Sequence, residues 1–205
     1  MPFSPEEGEA AVTLARETLD AHVWGAVEKP RLSSPEAFSE HRGVFVTLNV
    51  QSASPEERLR GCIGFPFPVK KLGDAIREAT IAAASEDPRF PPVAKSELDS
   101  LVIEVSILTI PEVIEVSRPQ DLPALVRIGT DGLIVSRSYL SGLLLPQVAT
   151  EFKLDQTEFL SQACLKAGLP PDSWLDQETK VQVFQAEIFA EANPRGKVVR
   201  VRPES

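Results

Sequence analysis

Val44-Phe45-Val46-Thr47-Leu48-Asn49-Val50, followed after a short connection by Leu59-Arg60-Gly61-Cys62-Ile63-Gly64, decides the reading of this chain. Alternation with period two marks a strand, and Val44, Val46, Leu48 and Val50 on one side predict a deeply buried face. Ser52–Glu57 reads as a turn, so an antiparallel hairpin is the simplest topology, and Pro66 and Pro68 then stop the sheet. On the second strand Arg58, Arg60 and Cys62 should share one face, with Leu59 and Ile63 on the other. Guanidinium charge favours thiolate, and flanking glycines leave room for an approaching group. The strip therefore predicts a reactive or ligand-facing cysteine, with a small buried core thiol as the alternative.

Working outward, Ser4-Pro5-Glu6-Glu7 predicts a capped helix start. Ala11, Ala15, Leu19 and Val23 form the inner stripe of that helix, and Gly25 ends it before a loop with Pro30 and Pro35. A second helix from Val69 carries Leu72, Ile76, Ala79 and Ala83 inward, flanked by Ala75 and Ala82. Asp87-Pro88-Arg89-Phe90-Pro91-Pro92 is a proline-stiffened loop. Leu101–Thr109 alternates again, with Ile103, Val105 and Ile107 on one side and Glu104 and Ser106 on the other. Gly129–Pro146 predicts a hairpin turning near Ser141-Gly142. Asp155 and Glu158 open a third helix with Phe159, Ala163 and Ala167 inward, and Gly168 and Pro170 close it. Val181–Ala190 reads as the last strand. Strands and helices without regular β-α-β alternation predict an α+β fold, a mainly antiparallel sheet with packed helices.

The 205 residues suit one large domain, or one with a smaller lobe. A net charge of −9 supplies no basic field for nucleic acid or an anionic membrane. Arg195, Lys197, Arg200 and Arg202 are the local exception, read as a solvated tail. No apolar run approaches a membrane span, and Met1–Glu9 lacks the features of a signal peptide, so cytoplasmic residence is expected. Two cysteines outside any Cys-x-x-Cys pair predict reduced thiols. Eighteen prolines and a single methionine suit a stable, thermophilic protein.

Cys164 lies beside the third helix's apolar stripe and reads as structural. His22 and His41 sit near a helix end and in a polar loop, so neither argues for a Cys–His dyad, and two histidines make a zinc site a poor expectation. Asp87 and Arg89 form either a self-contained loop salt bridge or a rigid mount that aims Arg89 at a carboxylate or phosphate. Glu104 and Ser106 either face solvent or line the same cleft as Cys62. Trp24 and Trp174 read as packing residues. No phosphate loop, metal-binding helix motif or serine nucleophile elbow is present in the sequence.

Leu59–Gly64, Glu86–Pro92, Ile103–Leu108, Gly129–Leu133, Gly142–Ala149 and Phe159–Pro171 together resemble the AMMECR domain family, over about residues 5–190. The likeness is strongest to single-domain archaeal and bacterial members. It implies an α+β domain over 1–205 with a larger and a smaller lobe around a cleft, and names no cofactor and no settled activity. Prokaryotic relatives are associated with a Memo-like protein and a radical S-adenosylmethionine protein, which implies a shared modification pathway. This chain lacks the cysteine triad of such a radical enzyme and would be a companion to it. The expected site is Cys62 as the reacting group, with Arg60, Gly61, Gly64, Asp87, Arg89, Glu104 and Ser106 as ligand-binding residues around it. An enzyme or substrate-handling subunit, a binding module for a small ligand or partner segment, and a scaffold remain open alternatives.

Overall fold

Ser4 caps α1 (Pro5–Trp24) reciprocally: its hydroxyl accepts the Glu7 N–H at 3.2 Å, and the Glu7 carboxylate accepts the Ser4 N–H at 2.7 Å. Two free amides of the first turn are thereby satisfied. Gly25 closes the helix at φ 72°, a left-handed conformation glycine adopts without strain. The computed structural model describes residues 3–26, 30, 36–51, 54 and 57–201. Pro35, Arg202 and most of the expected 52–57 turn lie outside the described residues. After α1 come β1 (Val44–Val50), β2 (Leu59–Phe65), α2 (Leu72–Ser85), β3 (Leu101–Leu108), β4 (Glu112–Val113), β5 (Gly132–Arg137) and β6 (Leu140–Leu144). They are followed by α3 (Pro146–Glu151), α4 (Gln156–Lys166), β7 (Lys180–Phe184), β8 (Ala186–Glu191) and β9 (Val198–Val201). The fold is α+β, as the sequence pattern predicts.

The chain divides into two compact units, one running to Leu108 and resuming at Glu187, the other Thr109–Ala186. In the first, a five-stranded sheet has the order β2-β1-β3-β8-β9. β1 is antiparallel to both β2 and β3. Val44, Val46, Leu48, Ile103 and Val105 are fully buried, in one core with Leu19 of α1 and Leu72, Ile76 and Ala79 of α2. Each such valine, leucine or isoleucine side chain contributes roughly 1.5–3 kcal/mol on leaving water. Arg16 of α1 is buried against β8, donating to both Glu191 carboxylate oxygens at 2.9 and 2.6 Å and to the Leu98 and Leu101 carbonyls. Glu191 also accepts the Ile103 N–H at 3.0 Å.

The second unit carries a four-stranded sheet, β4-β7-β5-β6. Its core joins Leu133, Val135 and Val181 of the sheet to Phe159, Leu160, Ala163 and Cys164 of α4. Asp155 and Glu158 cap α4 as expected, and Gly168 follows it at φ 76°.

Four features depart from the sequence pattern. The hairpin turns at Ser138-Tyr139, with Ser138 at φ 54°, while Ser141 and Gly142 lie inside β6. Residues 181–190 are not one strand: β7 joins the four-stranded sheet, β8 the five-stranded one, and Gln185 lies between them. The supposed tail pairs as β9 with β8, and its Arg200 meets Glu187 at 3.0 Å. Pro146–Glu151 is helical, with Pro146 at the first turn where proline is favoured. No helix among the described residues is long and apolar enough to cross a membrane.

Candidate functional site

Cys62 stands directly opposite Thr47 of β1, and Thr47 directly opposite Glu104 of β3. Successive strands lie roughly 4.8 Å apart, so the three side chains form one row on the face opposite the buried one. All three are half-buried. The Thr47 hydroxyl donates to Cys62 Sγ at 3.3 Å. The next row holds Gly64, Phe45 and Ser106 in the same order, which places Ser106 beside Glu104 on β3.

The glycines of the strip serve the protein's own packing. A Cβ on Gly61 would lie 2.1 Å from the Ala83 carbonyl oxygen of α2, and one on Gly64 would lie 2.4 Å from the Phe45 ring. Gly61 lets helix and strand approach on the buried face, and Gly64 seats the Phe45 ring on the face that carries Cys62.

Arg60 is not the cation beside the thiol. The register between β1 and β2 slips between Leu48 and Asn49, so that Leu48 faces Gly61 while Asn49 faces Leu59. That bulge at Arg60 breaks the alternation on which the shared Arg58, Arg60 and Cys62 face depended. Arg60 instead grips Glu97 with two hydrogen bonds, of 2.7 and 3.1 Å, and holds Glu97 below the usual carboxylate range. The positive charge acting on Cys62 comes from Arg89.

Asp87 and Arg89 form the loop salt bridge, one of the two roles read for them. Arg89 donates to both Asp87 oxygens, Nε at 2.9 Å and Nη2 at 2.7 Å. Asp87 Oδ2 also accepts the Cys62 N–H at 2.9 Å, and Arg89 Nη2 reaches the Cys62 carbonyl at 3.3 Å. β2 is an edge strand, so this loop pair satisfies main-chain groups that an edge otherwise presents to partners. Asp87 is almost fully buried at 2% side-chain exposure, whereas Arg89 is 52% exposed. The ion pair holds the Asp87 carboxyl far below its usual range.

The thiol is not acidified. Burial pushes Cys62 up, opposed by the Thr47 hydrogen bond and by Arg89, while Glu104 and Asp87 push it up further. Burial likewise raises Glu104, with Arg58 pulling the other way. At neutral pH the row presents a protonated thiol, a hydroxyl and a carboxyl that gives up its proton reluctantly. Cys164 is fully buried in the second unit's core. Neither histidine is among the groups that shift the Cys62 thiol. Sequence reasoning missed Thr47, Phe45 and Glu97, because the first two reach Cys62 and Gly64 only through the pairing of β1 with β2, and Glu97 reaches Arg60 from the turn before β3. Among the described residues no group of three or more His, Cys, Asp or Glu is arranged to hold a metal ion.

An α+β chain with this strip on an edge strand matches the AMMECR1 family over residues 12–189. The chain belongs to that family. A Thermococcus gammatolerans protein is 54% identical over 95% of both chains. One from Methanothermobacter thermautotrophicus is 53% identical, covering 93% of this chain and 97% of its own. The crystal structure of an uncharacterised protein from Pyrococcus horikoshii is similar with a TM-score of 0.78 and 50% identity, over 96% of this chain and 97% of that one. These relatives are archaeal, which suits a thermophilic protein.

Proposed function

We propose that this chain is a substrate-handling component of a modification pathway, acting at the Cys62–Thr47–Glu104 row beside Memo-like and radical S-adenosylmethionine companions. One observation carries the reading: the Thr47 hydroxyl is directed onto Cys62 Sγ, on a row that ends in the half-buried carboxyl of Glu104. Thiol, hydroxyl and carboxyl together offer donors and acceptors to a polar substrate group, and burial strengthens each such contact. Asp87 and Arg89 fix the main chain of Cys62, so the sulfur is held in place before a ligand arrives. The companion role also accords with the chain's lack of an iron–sulfur cysteine triad.

A second reading, a binding module in which Cys62 is one wall of the site, is favoured by the raised thiol, because nucleophilic cysteines depend on thiolate. Cys62→Ser in a pathway reconstituted with the two companions separates the readings. Loss of turnover with an unchanged melting temperature supports a reacting thiol. Full turnover assigns Cys62 to the wall and overturns the reacting role.

A further inference from the structure

Each sheet of this protein ends in two edge strands, β2 and β9 in one, β4 and β6 in the other. An open edge presents unpaired N–H and C=O groups, and folded chains guard it with charge, shortness or a covering group. Asp87 and Arg89 occupy the Cys62 main chain on β2. β9 carries Arg200 and follows Lys197, and β4 has only two residues, one of them Glu112. β6 has none of these guards among the described residues. A quarter of the whole chain is charged, yet Tyr139-Leu140-Ser141-Gly142-Leu143-Leu144-Leu145 holds neither a charge nor a proline. Arg137 pairs with Leu140 across the two-residue turn, and a hydrogen-bonded pair closes such a turn. Leu140, Gly142 and Leu144 therefore bond to β5, and the main chains of Ser141 and Leu143 point away from the sheet. No main-chain hydrogen bond from elsewhere among the described residues reaches them. Ser141 is exposed, and Tyr139, the single tyrosine of the chain, is 92% exposed.

We infer that β6 pairs with β6 of a second copy of this chain, antiparallel about a two-fold axis at Gly142, so that two four-stranded sheets become one continuous sheet. In that register Ser141 and the partner's Leu143 exchange both main-chain hydrogen bonds, and the two-fold repeats the exchange. Leu140 faces the partner's Leu144, and Tyr139 faces the partner's Leu145. The segment is thus its own complement: leucine meets leucine, and the exposed tyrosine gains an apolar neighbour. Two copies at a net charge of −9 repel each other over most of their surface. Along residues 139–145 no like charges are opposed, which favours a second copy over a charged foreign strand. The interface lies wholly in the second unit and is independent of the Cys62 row.

Sedimentation equilibrium of the full chain, from about 1 to about 300 µM, tests the pairing. The mass should rise from 22.4 kDa toward twice that value, with a midpoint on the order of 10 µM, as suits a small interface. Ser141→Pro deletes an N–H that points out of the sheet, so it costs the single chain no ladder bond. It should weaken association at least about tenfold while leaving the melting temperature of the dilute chain in place. Cross-linking reads the register without relying on that variant. Residues in a hydrogen-bonded pair have Cα atoms about 5.5 Å apart, within disulfide reach. A Ser141→Cys chain mixed with a Leu143→Cys chain, both carrying Cys62→Ser, should therefore give the mixed disulfide under mild oxidation, identified by mass spectrometry, in excess of either chain's own. A chain that stays monomeric at about 300 µM, a Ser141→Pro variant that associates like the parent, or like-with-like cross-linking equal to the mixed product would each overturn the inference.

Discussion

The Asp87 carboxylate accepts the main-chain N–H of Cys62 at 2.9 Å, across 25 residues of sequence. The same carboxylate holds the Arg89 N–H and guanidinium, so one buried group ties the stiff loop to the edge of the sheet. Asp87→Ala should remove about 2–3 kcal/mol of stability, because it leaves the Cys62 amide without its partner and breaks a bidentate pair. Equilibrium urea unfolding measures it. The folded carboxyl lies below its unfolded value, so its contribution is present above about pH 4 and fades as the pH falls through the folded value. Asp87→Asn should therefore show a flatter acid limb than the parent chain.

Gly61→Ala tests the close approach of α2 to β2. The added methyl group meets a backbone carbonyl at 2.1 Å, which cannot swing aside as a side chain would. Strand and helix must separate, and overpacking of this kind costs about 1–3 kcal/mol. A melting temperature equal to that of the parent would refute the contact.

Cys62 should react with iodoacetamide more slowly than a free thiol at neutral pH and gain rate steadily toward alkaline pH. Thr47 and Arg89 both pull the thiol down. Thr47→Val and Arg89→Gln should each push it higher still and slow alkylation further at pH 8, read by mass spectrometry. Cys164, fully buried, provides the slow internal reference.

Glu104→Gln should raise the melting temperature at neutral pH. A carboxyl whose folded pKa is raised loses stability as the pH climbs from its unfolded value through its folded one. The gain should vanish in acid, where both states carry the proton. Thermal denaturation across pH settles the sign.

Glu191→Ala strands the buried guanidinium of Arg16 and should cost about 3–5 kcal/mol. Converting both partners to methionine should recover most of that loss, since no uncompensated charge is left behind. Chemical denaturation of the single and double variants separates the two effects.

The strands β1 and β3 were legible because each keeps one strictly buried face, Val44-Val46-Leu48 and Ile103-Val105-Ile107. The caps at Ser4 and Asp155 were legible because a reciprocal cap needs only four residues of local sequence. The register at Arg60 was not, since a bulge follows from pairing with β1 and leaves no mark on either strand alone. Nor was the change of sheet at Gln185, because no glycine or proline interrupts residues 181–190. The turn at Ser138 escaped notice because serine at φ 54° imitates what glycine or asparagine usually does. For the site, the sequence located Cys62, Asp87 and Arg89 but not their bonding, which is a matter of tertiary geometry.

Thr109 and Gln185 are hydrogen bonded to each other, the Thr109 N–H donating to the Gln185 carbonyl and the Gln185 N–H to the Thr109 hydroxyl, each at 2.8 Å. The middle of the polypeptide thus leaves and rejoins the first unit through neighbouring residues. On the ribosome, β3 emerges long before its neighbour β8, and Arg16 waits the whole interval for its counter-charge on Glu191. A nascent chain halted at residue 108 carries an unzipped sheet margin and a stranded cation, so the first part to be translated is the last to become secure.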